Sequence, residues 1–396
     1  MPSNRAAFID AGAGDAVVSR SPSVKCIRKT ALPTGEERMH FMTDSKNRAC
    51  RSGLLLSVFM TLAAPAHLAA KDAAVGVTQA APYVRPDVEA YLRASSAQPL
   101  PPLTAETIAQ IRKLPPSAMP SRDLPVGNLA VDRKFEMPGP GGAMALRVFD
   151  VRADRGPGPV VVFYHGGGFV LGSVETHAAL AAEISRQLDL PVVSVEYRLA
   201  PEHPWPAAPD DGEAAARWIA GNGKALGLGV TGLVLSGDSA GGNLTLIVAA
   251  ALRDKPAAVP VIMQLPIYPA ADFVNEYPSL RQFGTGYGLD DSVTVYFRQH
   301  YAADPKSLRT SPLLGDLAGL PPTVLVTAGL DPLRDQGRAY AAKLIAAGVP
   351  TTYYEGKGLV HGFATFRKDI PSAQVDTLKF LKLARTTLDE IEAERK

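Results

Sequence analysis

The chain predicts an α/β domain, with a mostly parallel central sheet flanked by helices. Two observations carry that expectation. Short apolar runs recur beyond residue 80, at Val160 to Tyr164, Val192 to Val195, Leu233 to Leu235, Val261 to Leu265 and Thr323 to Thr327. Each reads as a strand buried on both faces. Helical patterns fall between them, near Ala178 to Leu188, Ala240 to Leu252 and Arg338 to Ala346. Buried strands that alternate with helices imply parallel pairing with both faces covered. The 396 residues, 46% hydrophobic, suffice for one large core or two small ones. No internal repeat is visible.

The first 80 residues behave differently. Met42 to Ala70 reads as a secretory signal: Lys46, Arg48 and Arg51 precede an apolar run from Gly53 to Ala64, and Ala64-Pro65-Ala66 is an A-x-A cleavage site. That run is too short for an ordinary membrane span, so no stable membrane anchor is expected. Residues before about Met39 read as an upstream extension. Residues 1–80 are thus expected to be a leader and flexible linker, and 81–396 the folded domain. The location implied is periplasmic or secreted; the alternative is an uncleaved tail on a cytoplasmic protein. Residues 1–51 hold 9 of the 41 Lys and Arg but only 5 of the 39 Asp and Glu, which leaves the remainder slightly acidic. Nothing there suits a nucleic-acid partner. Both cysteines, Cys26 and Cys50, lie in the leader, so the mature part has no disulfide or thiolate metal site.

From Pro82 to Leu124 come two short helical patterns, Asp87 to Arg93 and Ala105 to Leu114, joined by Pro99-Leu100-Pro101-Pro102. The strand at Val160 then runs into His165-Gly166-Gly167-Gly168-Phe169. Three successive glycines free the backbone to aim N–H groups at one point, which suits an oxyanion. A dinucleotide loop is the rival reading, with Gly172 and Glu196 as its other parts. The spacing is not G-x-G-x-x-G, however, and no G-K-[ST] follows.

Leu233-Val234-Leu235 leads into Gly237-Asp238-Ser239-Ala240-Gly241, a strand, a sharp turn and a helix. Such a turn projects a serine hydroxyl above the sheet. G-x-S-x-G arises readily by chance in a chain with 35 glycines, so the strand before and helix after carry the reading. A nucleophilic serine needs a base, and the base needs an orienting carboxylate. Only His300 and His361 lie beyond Ser239. His300 falls inside the aromatic helical stretch Tyr296 to Tyr301. His361 follows the strand-like Thr351 to Tyr354, in a turn from Gly358 to Phe363, where a side chain can reach a site at the strand ends. Asp331 leaves the strand Thr323 to Ala328 in the turn Gly329-Leu330-Asp331-Pro332, with Pro332 expected at the first helical position. Ser239 and Asp331 would also suit plain helix N-caps, and His361 a hydrogen-bonded loop histidine. The order Ser, acid, His, each at a strand end, favours the catalytic reading.

Five separated motifs carry a resemblance: His165 to Phe169, Glu196-Tyr197-Arg198-Leu199-Ala200-Pro201-Glu202, Gly237 to Gly241, Asp331-Pro332-Leu333-Arg334-Asp335 and His361-Gly362-Phe363. Together, over roughly residues 83 to 390, they resemble the hormone-sensitive-lipase-like (bacterial family IV) carboxylesterases. The resemblance implies an α/β-hydrolase fold with a helical cap, built from about 82–124 and about 273–301. It implies a small-molecule ester of short to medium acyl length as substrate. It also implies Ser239 as nucleophile, His361 as base, Asp331 as its partner, and Gly167, Gly168 and Ala240 as oxyanion donors. This acyl-enzyme chemistry requires no metal or organic cofactor. The stretch Tyr197 to Asp211 reads as structural, and Asp238 and Asp335 as supporting or capping groups. Gln336 departs from the family, which often carries Glu there. An amidase or deacetylase, or a binding protein on the same fold, remains the competing reading. A homodimer through an exposed cap or edge strand is left open.

Overall fold

A computed structural model describes residues 81–97, 103–114 and 121–395. The expected signal segment at 42–70, the rest of the leader with both cysteines, and the linker Pro99 to Pro102 lie outside the described residues.

Eight strands form one sheet: β1 (Val131–Gly139), β2 (Gly142–Asp150), β3 (Gly158–Tyr164), β4 (Val192–Val195), β5 (Val230–Asp238), β6 (Val261–Ile267), β7 (Thr323–Leu330) and β8 (Thr351–Val360). Their order is β1-β2-β4-β3-β5-β6-β7-β8. All pairings from β4 through β8 are parallel, as expected. The antiparallel hairpin β1–β2 was not expected from the sequence. β1 is a sheet-edge strand with mostly exposed side chains, so it shows no apolar run, and Pro138 to Gly142 reads only as a break.

Alternate residues of the parallel strands feed two cores, because successive side chains point to opposite faces. Val160, Val162, Leu233 and Leu235 pack with α4 (Ala207–Asn222), α5 (Ala240–Asp254) and α8 (Arg334–Ala346). Val161, Phe163, Val234 and Val326 pack with α3 (Ala178–Leu188) and α9 (Pro371–Glu394). Every residue from Gly232 to Asp238 is buried, which explains the uniformly apolar reading of that strand.

In the expected cap segment 82–124, the two helices go to different faces. α1 (Pro86–Ala97) places Val88 and Tyr91 in the core beside α9, whereas α2 (Ala105–Lys113) places Ile108 with α4 and α5. The second segment, between β6 and β7, carries α6 (Pro278–Phe283) and α7 (Asp291–Tyr301). Two local expectations are corrected. α8 begins at Arg334 rather than at Pro332, because the Leu333 N–H is turned back onto the Asp331 carboxylate. β8 runs on to Val360, pairing with Leu330, so His361 follows the strand directly without a turn from Gly358. No helix among the described residues is long and apolar enough to cross a membrane.

Candidate active site

β5 ends at Asp238, α5 begins at Ala240, and Ser239 makes the corner between them with φ 55° and ψ −115°. A non-glycine residue held there stores strain of about 1–3 kcal/mol. The corner is kept by the Ser239 N–H donating to the Ile267 carbonyl (2.9 Å) and by the Asn243 N–H donating to the Ser239 carbonyl (3.0 Å). Gly241 lets α5 approach β3, since a Cβ there would overlap the Tyr164 carbonyl. The Ser239 side chain caps nothing on its own helix. Its Oγ lies instead 2.8 Å from His361 Nε2.

The chain of hydrogen bonds continues through the ring. His361 Nδ1 lies 2.7 Å from Asp331 Oδ2, and Asp331 Oδ1 accepts the Leu333 N–H at 2.7 Å. Asp331 is fully buried. A buried carboxylate accepting at Nδ1 places the ring proton there and leaves the Nε2 lone pair facing Oγ. Such an arrangement lets an imidazole take a hydroxyl proton while the carboxylate stabilises the resulting imidazolium. Ser239, Asp331 and His361 come from the ends of β5, β7 and β8. Parallel strands bring those ends to one edge of the sheet. His300 joins none of this: its ring stacks on Tyr296 at 3.9 Å and its Nδ1 lies 2.9 Å from the Tyr296 carbonyl.

The glycine loop after β3 turns beside the same corner, with φ of +118° at Gly167 and +63° at Gly168. Among the described residues nothing accepts from the N–H groups of Gly167, Gly168 or Ala240. The loop is tied to the serine corner by the Gly166 N–H, which donates to Asp238 Oδ1 at 2.8 Å. Tyr197 Oη donates to the His165 carbonyl at 2.6 Å, and the two rings stack at 4.2 Å. Burial, then the neighbouring His177, pushes His165 down to about 3, so it stays neutral. His177 Nε2 lies 3.4 Å from Asp238 Oδ1. Burial opposes a charge on His177, but Asp238 outweighs it and raises the pKa above the ordinary value. Sequence reasoning missed His177, which belongs to none of the five motifs; its place just before α3 was the only signal.

The supporting residues fall as expected. Arg198 makes two 2.8 Å bonds to Asp211, and Arg112 reaches Glu202 at 2.5 Å, so Tyr197 to Asp211 acts as a strut. The Asp335 carboxylate accepts the Ser279 N–H at 3.0 Å. Gln336 Oε1 accepts from the N–H groups of Ala271 and Asp272 at 2.6 and 2.9 Å. An amide thus satisfies both donors without burying the charge that a Glu would bring. A cavity of about 70 Å³ opens beside Ser239, lined among others by Gly168, Ala240, Phe273, Leu289, Phe297 and Leu333. Among the described residues no group of three or more His, Cys, Asp or Glu is placed to hold a metal ion.

Residues 161–365 match the family described as alpha/beta hydrolase fold. Esterase LipI of Mycobacterium tuberculosis is 36% identical over 273 residues, covering 67% of this chain and 83% of that protein. Carboxylesterase NlhH of the same species is 36% identical over 289 residues, 71% of this chain and 88% of its own length. Among solved structures, an esterase of Pyrobaculum calidifontis superposes with a TM-score of 0.69 at 33% identity, covering 77% of this chain and 99% of that one. Taken with the strand order and the Ser239–His361–Asp331 chain, these matches place the protein in the hormone-sensitive-lipase-like branch (family IV) of the α/β-hydrolase-fold family.

Proposed function

We propose that the protein is a serine carboxylesterase that hydrolyses short- to medium-chain carboxylic esters through an acyl-enzyme intermediate. The observation that carries this reading is the 2.8 Å contact from Ser239 Oγ to His361 Nε2, continued to Asp331, beside three backbone N–H groups that have no partner among the described residues. His361 takes the Ser239 proton as Oγ attacks the ester carbonyl. Gly167, Gly168 and Ala240 donate to the oxyanion that forms. His361 then gives the proton to the departing alkoxide oxygen, leaving the acyl group on Oγ. Water, deprotonated in turn by His361, releases the acid and restores Ser239. That relatives are named esterase and carboxylesterase, with a 38% identical Pseudomonas putida protein named ethyl acetate hydrolase, supports ester over amide. We also propose that the chain is exported and loses its leader, on the strength of the basic, apolar and A-x-A order of residues 42–70.

The test is hydrolysis of nitrophenyl esters by wild type and by Ser239→Ala. The variant should keep its fold and lose about 10⁴- to 10⁶-fold in kcat. A folded wild type that turns over no ester would reject the reading.

A further inference from the structure

We propose that Phe297, on α7, closes the acyl side of the cavity beside Ser239 and limits the acyl group to about four carbons. The inference rests on the carboxylesterase reading and names a substrate class within it.

The side of the cavity follows from proton transfer. His361 must return its proton to the leaving alkoxide, so the alcohol half of an ester has to lie on the His361 side of Ser239. The cavity touches Ser239, Ala240 and Gly168, while His361 is not among its lining residues. With the carbonyl oxygen directed at the glycine loop and Ala240, the remaining substituent entering this cavity is the acyl chain.

Phe297 closes it through helix geometry. Thr294, Phe297, Arg298 and Tyr301 all line the cavity, and their spacing of i, i+3, i+4 and i+7 puts them on one face of α7. The Phe297 ring lies directly on the glycine loop, since a Cβ built on Gly168 would overlap three of its ring carbons. One turn further on, Tyr301 stacks on Phe169 with centroids 3.9 Å apart and planes within 6°. Two aromatic residues four apart therefore seat α7 on two consecutive residues of the loop. Withdrawing the Phe297 ring by shifting α7 outward would require breaking that second stack as well.

Size then decides the class. An apolar cavity of about 150 Å³ accommodates a benzene-sized ligand. About half that volume, 70 Å³, suits an acyl group of two to four carbons. Removing the phenyl ring itself would free room for about six further carbons.

The experiment measures kcat/KM for nitrophenyl acetate, butyrate, hexanoate and octanoate with wild type, Phe297→Ala, Phe297→Leu and Phe297→Trp, each first checked for a cooperative thermal transition. Wild type should peak at acetate or butyrate and fall about tenfold or more by octanoate. Phe297→Ala should raise the octanoate-to-acetate ratio by about tenfold or more, with Phe297→Leu between, and Phe297→Trp should lower butyrate against acetate. If Phe297→Ala does not fold, the Leu and Trp variants decide the matter, because they shift the profile in opposite directions. Ratios unmoved within about twofold in the folded variants, or a wild type that prefers octanoate, overturn the proposal while leaving esterase activity intact. A wild type inactive on every ester overturns both.

Discussion

Ser239, His361 and Asp331 show how residue identity alone underdetermines a role. Ser239 stands at the N-cap of α5, and the sequence alone allows an N-cap reading for Asp331 as well; only the side-chain partners separate those readings from the catalytic one. Ser239 Oγ bonds His361 rather than its own helix, and Asp331 serves the Leu333 N–H and the His361 ring together. Asp331→Asn tests the second role. The Asn carbonyl could still accept from Leu333, which would direct its NH₂ group at Nδ1 and favour the wrong ring tautomer. We expect kcat to fall by about 10⁴-fold with the thermal transition little changed. Steady-state kinetics showing a loss below about tenfold would mean that Asp331 does not orient the base. These three residues were legible in the sequence because each follows a buried strand. His177 was not, since its partner Asp238 lies 61 positions away and only the sheet brings them together.

That pair belongs to the join between two elements, the glycine loop after β3 and the corner before α5. Asp238 bonds the Gly166 N–H while facing His177, and His165, Asp123 and Glu196 complete the charged and titratable surroundings. Burial resists the His177 charge and Asp238 more than offsets it, so the folded pKa stands above the unfolded value of about 6.5. The stabilisation is therefore fully present below about pH 6.5 and is lost as pH rises through the folded pKa. Thermal melts of wild type and His177→Gln should differ most near pH 5.5, with the gap narrowing towards pH 9. A gap independent of pH would show that His177 acts through packing alone. Element boundaries were the least legible part. The start of α8 and the end of β8 both moved because hydrogen bonds to distant or side-chain groups overrode local propensity.

Across the molecule, the described chain is closed by ion pairs between its N-terminal segment and its last helix region. Arg85 makes a bond to Asp376 at 2.6 Å, and buried Arg367 grips Asp123 at 2.6 and 2.9 Å. Arg367→Ala would leave the buried Asp123 carboxylate without its cation, which typically costs about 3–5 kcal/mol. All four residues lie beyond residue 80, so both ties survive if the leader is removed. N-terminal sequencing of protein recovered from an export-competent host should find a chain beginning at His67, after Ala64-Pro65-Ala66. An intact Met1 on protein recovered from the exported fraction would reject the cleavage proposed for the leader.

Periodicity determined the layered α/β architecture and the parallel pairing, and the Gly237 to Gly241 motif after a buried strand determined the corner that holds Ser239. They do so because a strand buried on both faces must be apolar throughout, and a tight corner admits few residues. The edge hairpin escaped notice because exposed strands carry no such signature. Only the tertiary structure decided that His177 stands behind the glycine loop and that Phe297 rests on Gly168. Those are contacts between residues far apart in the chain, set by how elements stack, and no local preference encodes them.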